Sequence, residues 1–543
     1  MSLRPPLVFK TATEDWEFES IHRLNYKTFV EEIPQHHASP EQRLVDKFNT
    51  ENTYLISLCG RKLAGMLAVR GNRPFSLDQK LENLDSYLPS GRKICEIRLL
   101  AVDKKFRGAQ VLQGILALLW QHGIEKGYDL AIISGTTRQF KLYQHLGFVP
   151  FGLRVGTGDA QFQPMYVTLE TFEAAAREFL RSSPSRAFQP SAVSFLPGPV
   201  TVRREVRRAF EQAPESHRAA PFVKDFHATH QILRDLVHAP KVELLLGSGT
   251  LANDVVAAQL SLEPGPGIIL SNGEFGERLL DHGRRFGLRF EAGEFAWGQP
   301  LDLRAVRQML ERSPAPGWLW CTHCETSSGV LNDLVRLKAL CSEFQVKLCL
   351  DCISSIGTTP VDLTGVYLAS CASGKGLRSY PGIGMVFCHH DPVSSPRLPR
   401  YLDLGYYASQ QGIPFTFSSN LLHALHAAIK RVDWPERFGQ LKELSGWLRG
   451  RLREIGFELI GSNTATLPAV VTIALPENLN SVIVGEMVQE SGYLLSYNSD
   501  YLRRKNWIQI CLMGECSKQK LVSLLNALHR VTSKLGSRLE VKK

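Results

Sequence analysis

Leu348-Cys349-Leu350-Asp351 and Ser373-Gly374-Lys375-Gly376, with Lys375 lying 24 residues after Asp351, are the stretch on which the reading of this chain turns. The first is an apolar run ending in a carboxylate. Open α/β sheets bind ligands in the crevice outside the carboxyl ends of such strands. The second sets a lysine in a Ser/Gly-rich turn. Upstream, Gly247-Ser248-Gly249-Thr250 follows another apolar strand and opens a helix, which offers free backbone N–H groups and a positive dipole end to a phosphate. A buried acid, a turn lysine and a phosphate cradle are the protein groups that pyridoxal phosphate (PLP) needs. The lysine forms the Schiff base, the acid pairs with the pyridinium nitrogen, and the phosphate fixes the ring. Each feature alone is ordinary; their order and spacing carry the argument.

Outward from this stretch, strands alternate with helical patterns. Strands are expected at Glu243–Leu246, Ile268–Leu270, Leu319–Thr322, Leu348–Asp351 and Ile383–Cys388, which argues for a mostly parallel sheet wrapped by helices. Helical patterns near Leu421–Val432 and Leu441–Ile455, short strands, and a last helix at Gln519–Leu535 predict a smaller α/β domain. The expected division is a large PLP-binding domain over 196–400 and a small C-terminal domain over 401–543.

Further motifs tie this half to a family. Leu196-Pro197-Gly198-Pro199, Ser216-His217-Arg218, the phosphate loop, Asn272-Gly273-Glu274-Phe275-Gly276-Glu277-Arg278 and His323-Cys324-Glu325-Thr326-Ser327-Ser328-Gly329 follow in order. From about residue 196 onward the chain resembles class V, fold-type I aminotransferases, notably the alanine–glyoxylate and 2-aminoethylphosphonate–pyruvate branch. The resemblance implies Lys375 as the catalytic, Schiff-base lysine and Asp351 as the pyridinium partner. It implies Phe275 stacked on the ring, Thr326 bonded to the cofactor, and Ser248, Gly249, Thr250 and Ser373 among the cofactor contacts. It also implies an amine or amino acid substrate, an oxo-acid acceptor and a homodimer.

The chain departs from the family twice. A hydrogen-bonding side chain usually precedes the lysine; here it is Gly374. The family's substrate-carboxylate arginine is replaced by Gln509 in Trp507-Ile508-Gln509-Ile510-Cys511-Leu512-Met513-Gly514. A neutral amide lacks both the charge and the two-pronged geometry of a guanidinium. Either the substrate lacks that carboxylate or another arginine meets it, with Arg378, Arg503 and Arg504 as candidates.

The first ~180 residues read as one α/β unit. Strands are expected at Tyr54–Leu58, Leu63–Val69, Ile94–Val102 and Leu130–Ser134. A helix over Val111–Lys126 carries Leu112, Ile115, Leu116 and Leu119 on one face, and a short helix over Gln139–His145 is closed by Gly147. Leu142-Tyr143-Gln144-His145-Leu146-Gly147-Phe148, with Glu96-Ile97-Arg98 and Phe106-Arg107-Gly108, resembles the GNAT N-acyltransferases and, around Glu96, the acyl-homoserine-lactone and N-acyl amino acid synthase branch. The resemblance implies Glu96 as general base, Tyr143 as general acid, and Arg107 and Gly108 at the acyl donor. The donor is acyl-CoA or an acyl carrier protein. Gln110 and Leu112 stand where the acyl-CoA loop has small residues, so a domain that only binds a ligand or partner is the alternative. A Ser/Pro-rich linker, Ser182–Ser191 within 181–195, separates this domain (1–180) from the rest.

Composition sets the outer bounds. The 543 residues are 44% hydrophobic and 21% charged, a globular balance, with a net charge of +10 spread along the chain. No basic arm predicts nucleic-acid binding, and no apolar run predicts a membrane span. Eleven scattered cysteines favour free thiols and a cytoplasmic protein. The Cys321–Cys324 spacing lacks a second pair, and the His36-His37 and His389-His390 pairs lack further ligands, so no metal is expected. The expectation is a bifunctional enzyme: a PLP-dependent aminotransferase with an acyltransferase that acts on the amine substrate or product. The alternative is a PLP-dependent lyase (elimination, decarboxylation or desulfurisation) with a non-catalytic N-terminal domain.

Overall fold

The computed structural model describes residues 7–33, 37–155, 161–172, 175, 193–312, 316–461 and 465–540. The expected Ser182–Ser191 linker and His36 lie outside the described residues. The chain divides into two compact units, Met1–Val193 and Ser194–Lys543.

The first unit is built on a seven-stranded sheet. Its spatial order is Leu7–Thr11, Thr53–Cys59, Lys62–Arg70, Ile94–Val102, Leu130–Thr136, Phe162–Thr168 and Val149–Pro150. All neighbours are antiparallel except Ile94–Val102 with Leu130–Thr136. That parallel ladder pairs only Ile94 with Leu130, Cys95 with Ala131 and Glu96 with Ile132, after which the strands part. Leu99 has φ +53 where the other ladder of its strand slips register, as at a bulge. The helix Ala109–Lys126 buries Ile115, Leu116 and Leu119 against the sheet and leaves Leu112 half-buried. Gly147, at φ +85, ends the short helix Phe140–His145 in the left-handed region that favours glycine.

The second unit also holds a seven-stranded sheet, in the order Phe290–Glu294, Gly267–Ser271, Trp318–Thr322, Lys347–Asp351, Leu368–Ala372, Gly382–Cys388 and Lys241–Gly247. The first five are parallel, and Gly382–Cys388 runs antiparallel to both neighbours. One face packs on Phe222, Phe226 and Leu425, the other on Val255, Val256 and Leu279. Both faces are therefore covered, as a parallel sheet requires. Two strands escaped the sequence pattern. Phe290–Glu294 is an edge strand half-buried or exposed at every residue but Gly293, and it carries no apolar run. Leu368–Ala372 is central but made of small residues. A three-stranded sheet, Glu458–Leu459, Val470–Ala474 and Trp507–Cys511, forms the smaller layer with the helices Trp434–Glu454 and Lys518–Glu540. All eleven cysteines are free thiols. Among the described residues no helix is long and apolar enough to cross a membrane, and no three metal-ligating side chains cluster.

Glu243, on the edge strand Lys241–Gly247, is 7% exposed, and its Oε2 has no hydrogen-bond partner. Burial pushes its carboxyl up to about 8 from 4.5. The folded state therefore favours the protonated form, while the unfolded chain ionises. The stability the group supports is complete below about 4.5 and is lost as pH rises toward 8. Glu243→Gln is expected to raise the melting temperature by several degrees at pH 8 and hardly at all at pH 4.5, read by scanning calorimetry. An equal shift at both pH values contradicts this assignment.

Candidate active site

The site is assembled at the carboxyl ends of the parallel strands. Asp351 closes the strand Lys347–Asp351 and is 7% exposed. Its Oδ2 accepts from Asn253 Nδ2 at 2.9 Å and its Oδ1 from the Ile353 backbone N–H at 2.9 Å. Asn253 Oδ1 in turn accepts from Ser370 Oγ at 2.6 Å, which fixes the amide's orientation. Three residues past Asp351, Ser354 Oγ accepts from Lys375 Nζ at 3.0 Å and lies 2.5 Å from Thr326 Oγ1.

Lys375 is half-buried, and among the described residues no carboxylate stands within ion-pair distance of its Nζ. Burial pulls its ammonium below the usual lysine range, and the Asp351 charge works against that. The Nζ lies 5.3 Å from the centroid of the Phe275 ring, and Arg278 lies over the same ring at 4.9 Å. Phe275 is held by the fully buried Glu325, whose carboxylate accepts from the N–H groups of Phe275 (3.2 Å), Gly276 (2.9 Å) and Ser327 (3.1 Å) and from Ser327 Oγ (2.6 Å). An acidic side chain thus caps the helix Glu274–Arg285 from a different segment, where its charge suits the helix N-terminus.

The turn after Lys241–Gly247 leads into the helix Gly249–Leu260. The Ser248 hydroxyl caps it by accepting from Leu251 N at 3.4 Å. The first N–H groups of a helix have no partner within it. Those of Gly249 and Thr250 therefore remain beside a half-exposed backbone. A Cβ on Gly249 would stand 2.6 Å from Ile353 Cδ1, so a larger residue there would push the Ile353 side chain aside.

Several expected residues are placed differently. Ser373 is fully buried and spends its hydroxyl inside its own loop, donating to the Tyr380 carbonyl at 2.6 Å and accepting from Ile383 N at 3.2 Å. A Cβ on Gly374 would meet Pro381 at 2.9 Å, which explains the missing side chain before the lysine. Gln509 is 0% exposed. Its Nε2 donates to the carbonyls of Thr326 (2.8 Å) and Ser327 (3.0 Å) and to Thr472 Oγ1 (2.9 Å). Arg378 is buried and ion-paired to Glu515 at 2.6 Å. Arg503 and Arg504 are exposed, with carboxylates no nearer than 3.8 Å.

In the first unit Glu96 is 0% exposed. It accepts from Ser76 N (2.9 and 3.1 Å), the Ser76 hydroxyl and Arg98 Nη1 (3.3 Å), and Arg98 also pairs with Asp46 at 2.7 Å. It belongs to a buried charge network with Arg98 and Asp46. Tyr143 is half-buried, and burial raises its phenol while a bond to Thr136 opposes that. Arg107 pairs with Glu32, and Gly108 precedes the helix Ala109–Lys126 with open space where a Cβ would sit. Sequence reasoning missed Asn253 and Ser354. The signal available was their spacing, three residues past Thr250 and three past Asp351.

The class-V aminotransferase family model matches residues 208–406, and that of the N-acyl amino acid synthase FeeM matches residues 20–155. The soluble hydrogenase 42 kDa subunit of Anabaena cylindrica is 30% identical over 359 residues, 63% of this chain and 93% of that protein. The 2-aminoethylphosphonate–pyruvate transaminase of Paraburkholderia phymatum is 25% identical over 366 residues, 64% of this chain and 98% of the relative. Among solved structures, the alanine–glyoxylate aminotransferase of Nostoc sp. aligns with a TM-score of 0.58 and 26% identity, covering 65% of this chain and 98% of that one. With the strand-end carboxylate, the turn lysine and the helix start at Gly249 brought together in one crevice, the chain belongs to the class-V family of PLP-dependent aminotransferases and carries an N-acyl-amino-acid-synthase-like segment ahead of that unit.

Proposed function

We propose that the second unit transfers an amino group between a small amine or amino acid and a 2-oxo acid at a PLP bound to Lys375. The observation that carries this reading is the half-buried Lys375 amine itself, bonded to a serine hydroxyl, with Asp351 acting on its charge and, among the described residues, no carboxylate in direct ion-pair range. A buried cation without a counter-ion is unfavourable, and such groups mark functional sites. The cradle fits PLP on two further counts. Asp351 is a carboxylate fixed by two donors at the strand end, and the helix start at Gly249 carries no side chain.

When bound, PLP supplies an electron sink for the carbanion left on proton loss from the substrate. Asp351 would hold the ring nitrogen protonated, Phe275 would cover one ring face, and Ser248, Gly249 and Thr250 would take the phosphate. Thr326 and Ser354 would orient the lysine and the ring. Lys375, once free, moves the proton. Its lowered affinity for a proton leaves more neutral amine to accept one at Nζ. The acceptor class, a small oxo acid such as pyruvate or glyoxylate, follows the names of the aminotransferase relatives. We infer a cytoplasmic homodimer in which the GNAT-like first unit takes an acyl thioester, as acyl-CoA or on a carrier protein. The match of residues 20–155 to the N-acyl amino acid synthase family model supports that placement.

Incubating the PLP-loaded protein with an amino donor and no acceptor is expected to yield stoichiometric pyridoxamine phosphate, measured chromatographically. Ammonia and regenerated PLP instead would favour a lyase. Asp351→Ala is expected to lower the rate of that half-reaction by 100-fold or more.

Gln509 gives a separate prediction. Its amide satisfies buried carbonyls, and an unsatisfied buried polar group costs about 1–3 kcal/mol. Gln509→Leu is expected to lower the melting temperature of the second unit. A raised KM for the donor with unchanged melting would return Gln509 to substrate recognition.

A further inference from the structure

Four segments outside the PLP cradle meet beside the lysine turn. Arg378 N–H donates to the Lys375 carbonyl at 2.9 Å, closing a four-residue turn, so the two Cα atoms lie within about 7 Å. Arg378 is held at φ +59, the left-handed region that a long side chain rarely adopts. Its guanidinium is 8% exposed, with Nη1 on Glu515 Oε1 at 2.6 Å and Nε without a partner. Arg203, just past Leu196–Pro199, directs Nε to the same glutamate oxygen from 3.8 Å, too far for a hydrogen bond, and pairs with Glu205 at 3.1 Å. Arg437, in the first turn of the helix Trp434–Glu454, is 9% exposed. It is fixed by donating to the carbonyls of Gly357 (3.2 Å) and Met513 (2.8 Å), and among the described residues it has no carboxylate in ion-pair range.

Three guanidinium groups thus face two carboxylates, and one carboxylate, Glu515, is common to two of them. Burial, then the neighbouring Arg378, pulls Arg437 down to about 9, with Glu515 opposing and Arg203 adding to the fall. The positive charges are close enough to strain one another. Glu515 is the member open to solvent: its side chain is 38% exposed, against 9% for Arg378.

We propose that Arg378, Arg437 and Arg203 form the acid-recognition subsite for the substrate, with Glu515 as a built-in carboxylate that an incoming oxyacid anion displaces. The ligand class is a carboxylate or phosphonate on the amino donor or its oxo-acid partner. This deepens the aminotransferase reading and rests on Lys375 as the reacting lysine. It answers the loss of the family arginine at 509, because the charge is supplied from the other side of the lysine turn. Two arginines pre-oriented by backbone or by a buried pair lose little freedom on binding, and planar guanidinium groups suit oxyacids.

The test is isothermal titration of the PLP-loaded full chain with succinate and, separately, with methylphosphonate; the two arms tell a carboxylate preference from a phosphonate one. Glu515→Gln is expected to bind the preferred anion at least tenfold more tightly than wild type, since the competing charge is gone. Arg378→Gln is expected to bind it at least tenfold more weakly. Unchanged or weaker binding by Glu515→Gln overturns the proposal. So does unchanged binding by an Arg378→Gln protein with wild-type circular dichroism. Should Arg378→Gln not fold, Arg437→Gln and Glu515→Gln decide by the same criteria. PLP content is measured on each sample, so a protein that never loads cofactor counts against the lysine assignment and not against the anion subsite.

Discussion

A half-buried lysine amine with no direct ion pair among the described residues is the constraint around which the second unit is arranged. Its hydrogen-bond partner among the described residues, Ser354, is itself bonded to Thr326. The carbonyls of Thr326 and Ser327 are tied by the amide of Gln509, which reaches across from the small sheet. Glu325, in the same segment, holds the backbone of Phe275 and Gly276. A continuous set of polar contacts therefore runs from the end of one central strand to the small domain. Breaking any member would leave a buried donor or acceptor unmet. Such a network fixes the lysine far better than packing alone.

The parallel sheet supplies the place for this network and close backbone approach supplies the shape. Gly249 packs against the Ile353 side chain, and a Cβ on Gly374 would meet the Pro381 backbone. These contacts bring the helix start, the segment after Asp351 and the lysine turn to within reach of one small ligand. The electrostatics are divided between two neighbouring regions. The cradle holds one carboxylate, Asp351, opposite the lysine, whereas the adjoining cluster of Arg203, Arg378 and Arg437 is cationic. A donor bearing an acid group would find its amine end and its acid end each met by the opposite charge.

Much of this was legible in the sequence, and the failures share a cause. Apolar runs and their spacing marked five of the seven large-sheet strands, and the order of Asp351 and Lys375 pointed to the crevice. The small-residue strand Leu368–Ala372 and the polar edge strand Phe290–Glu294 carry no such periodicity. Side-chain partners were the harder matter. Ser373 and Gln509 sit where the family motif puts functional groups, yet loop closure and a pair of orphan carbonyls claim them. Glu96 falls into a charge network completed by Asp46, fifty residues upstream and across the sheet. Ser354, Asn253, Arg437 and Glu515 gain their importance only from tertiary neighbours, and spacing along the chain does not encode those.

The lysine assignment is tested most directly by reducing the PLP-loaded full-length protein with borohydride and mapping the fixed label by peptide mass spectrometry. The account predicts a single pyridoxyl label on Lys375. A label on any other lysine, or none on a protein shown to contain PLP, would contradict it.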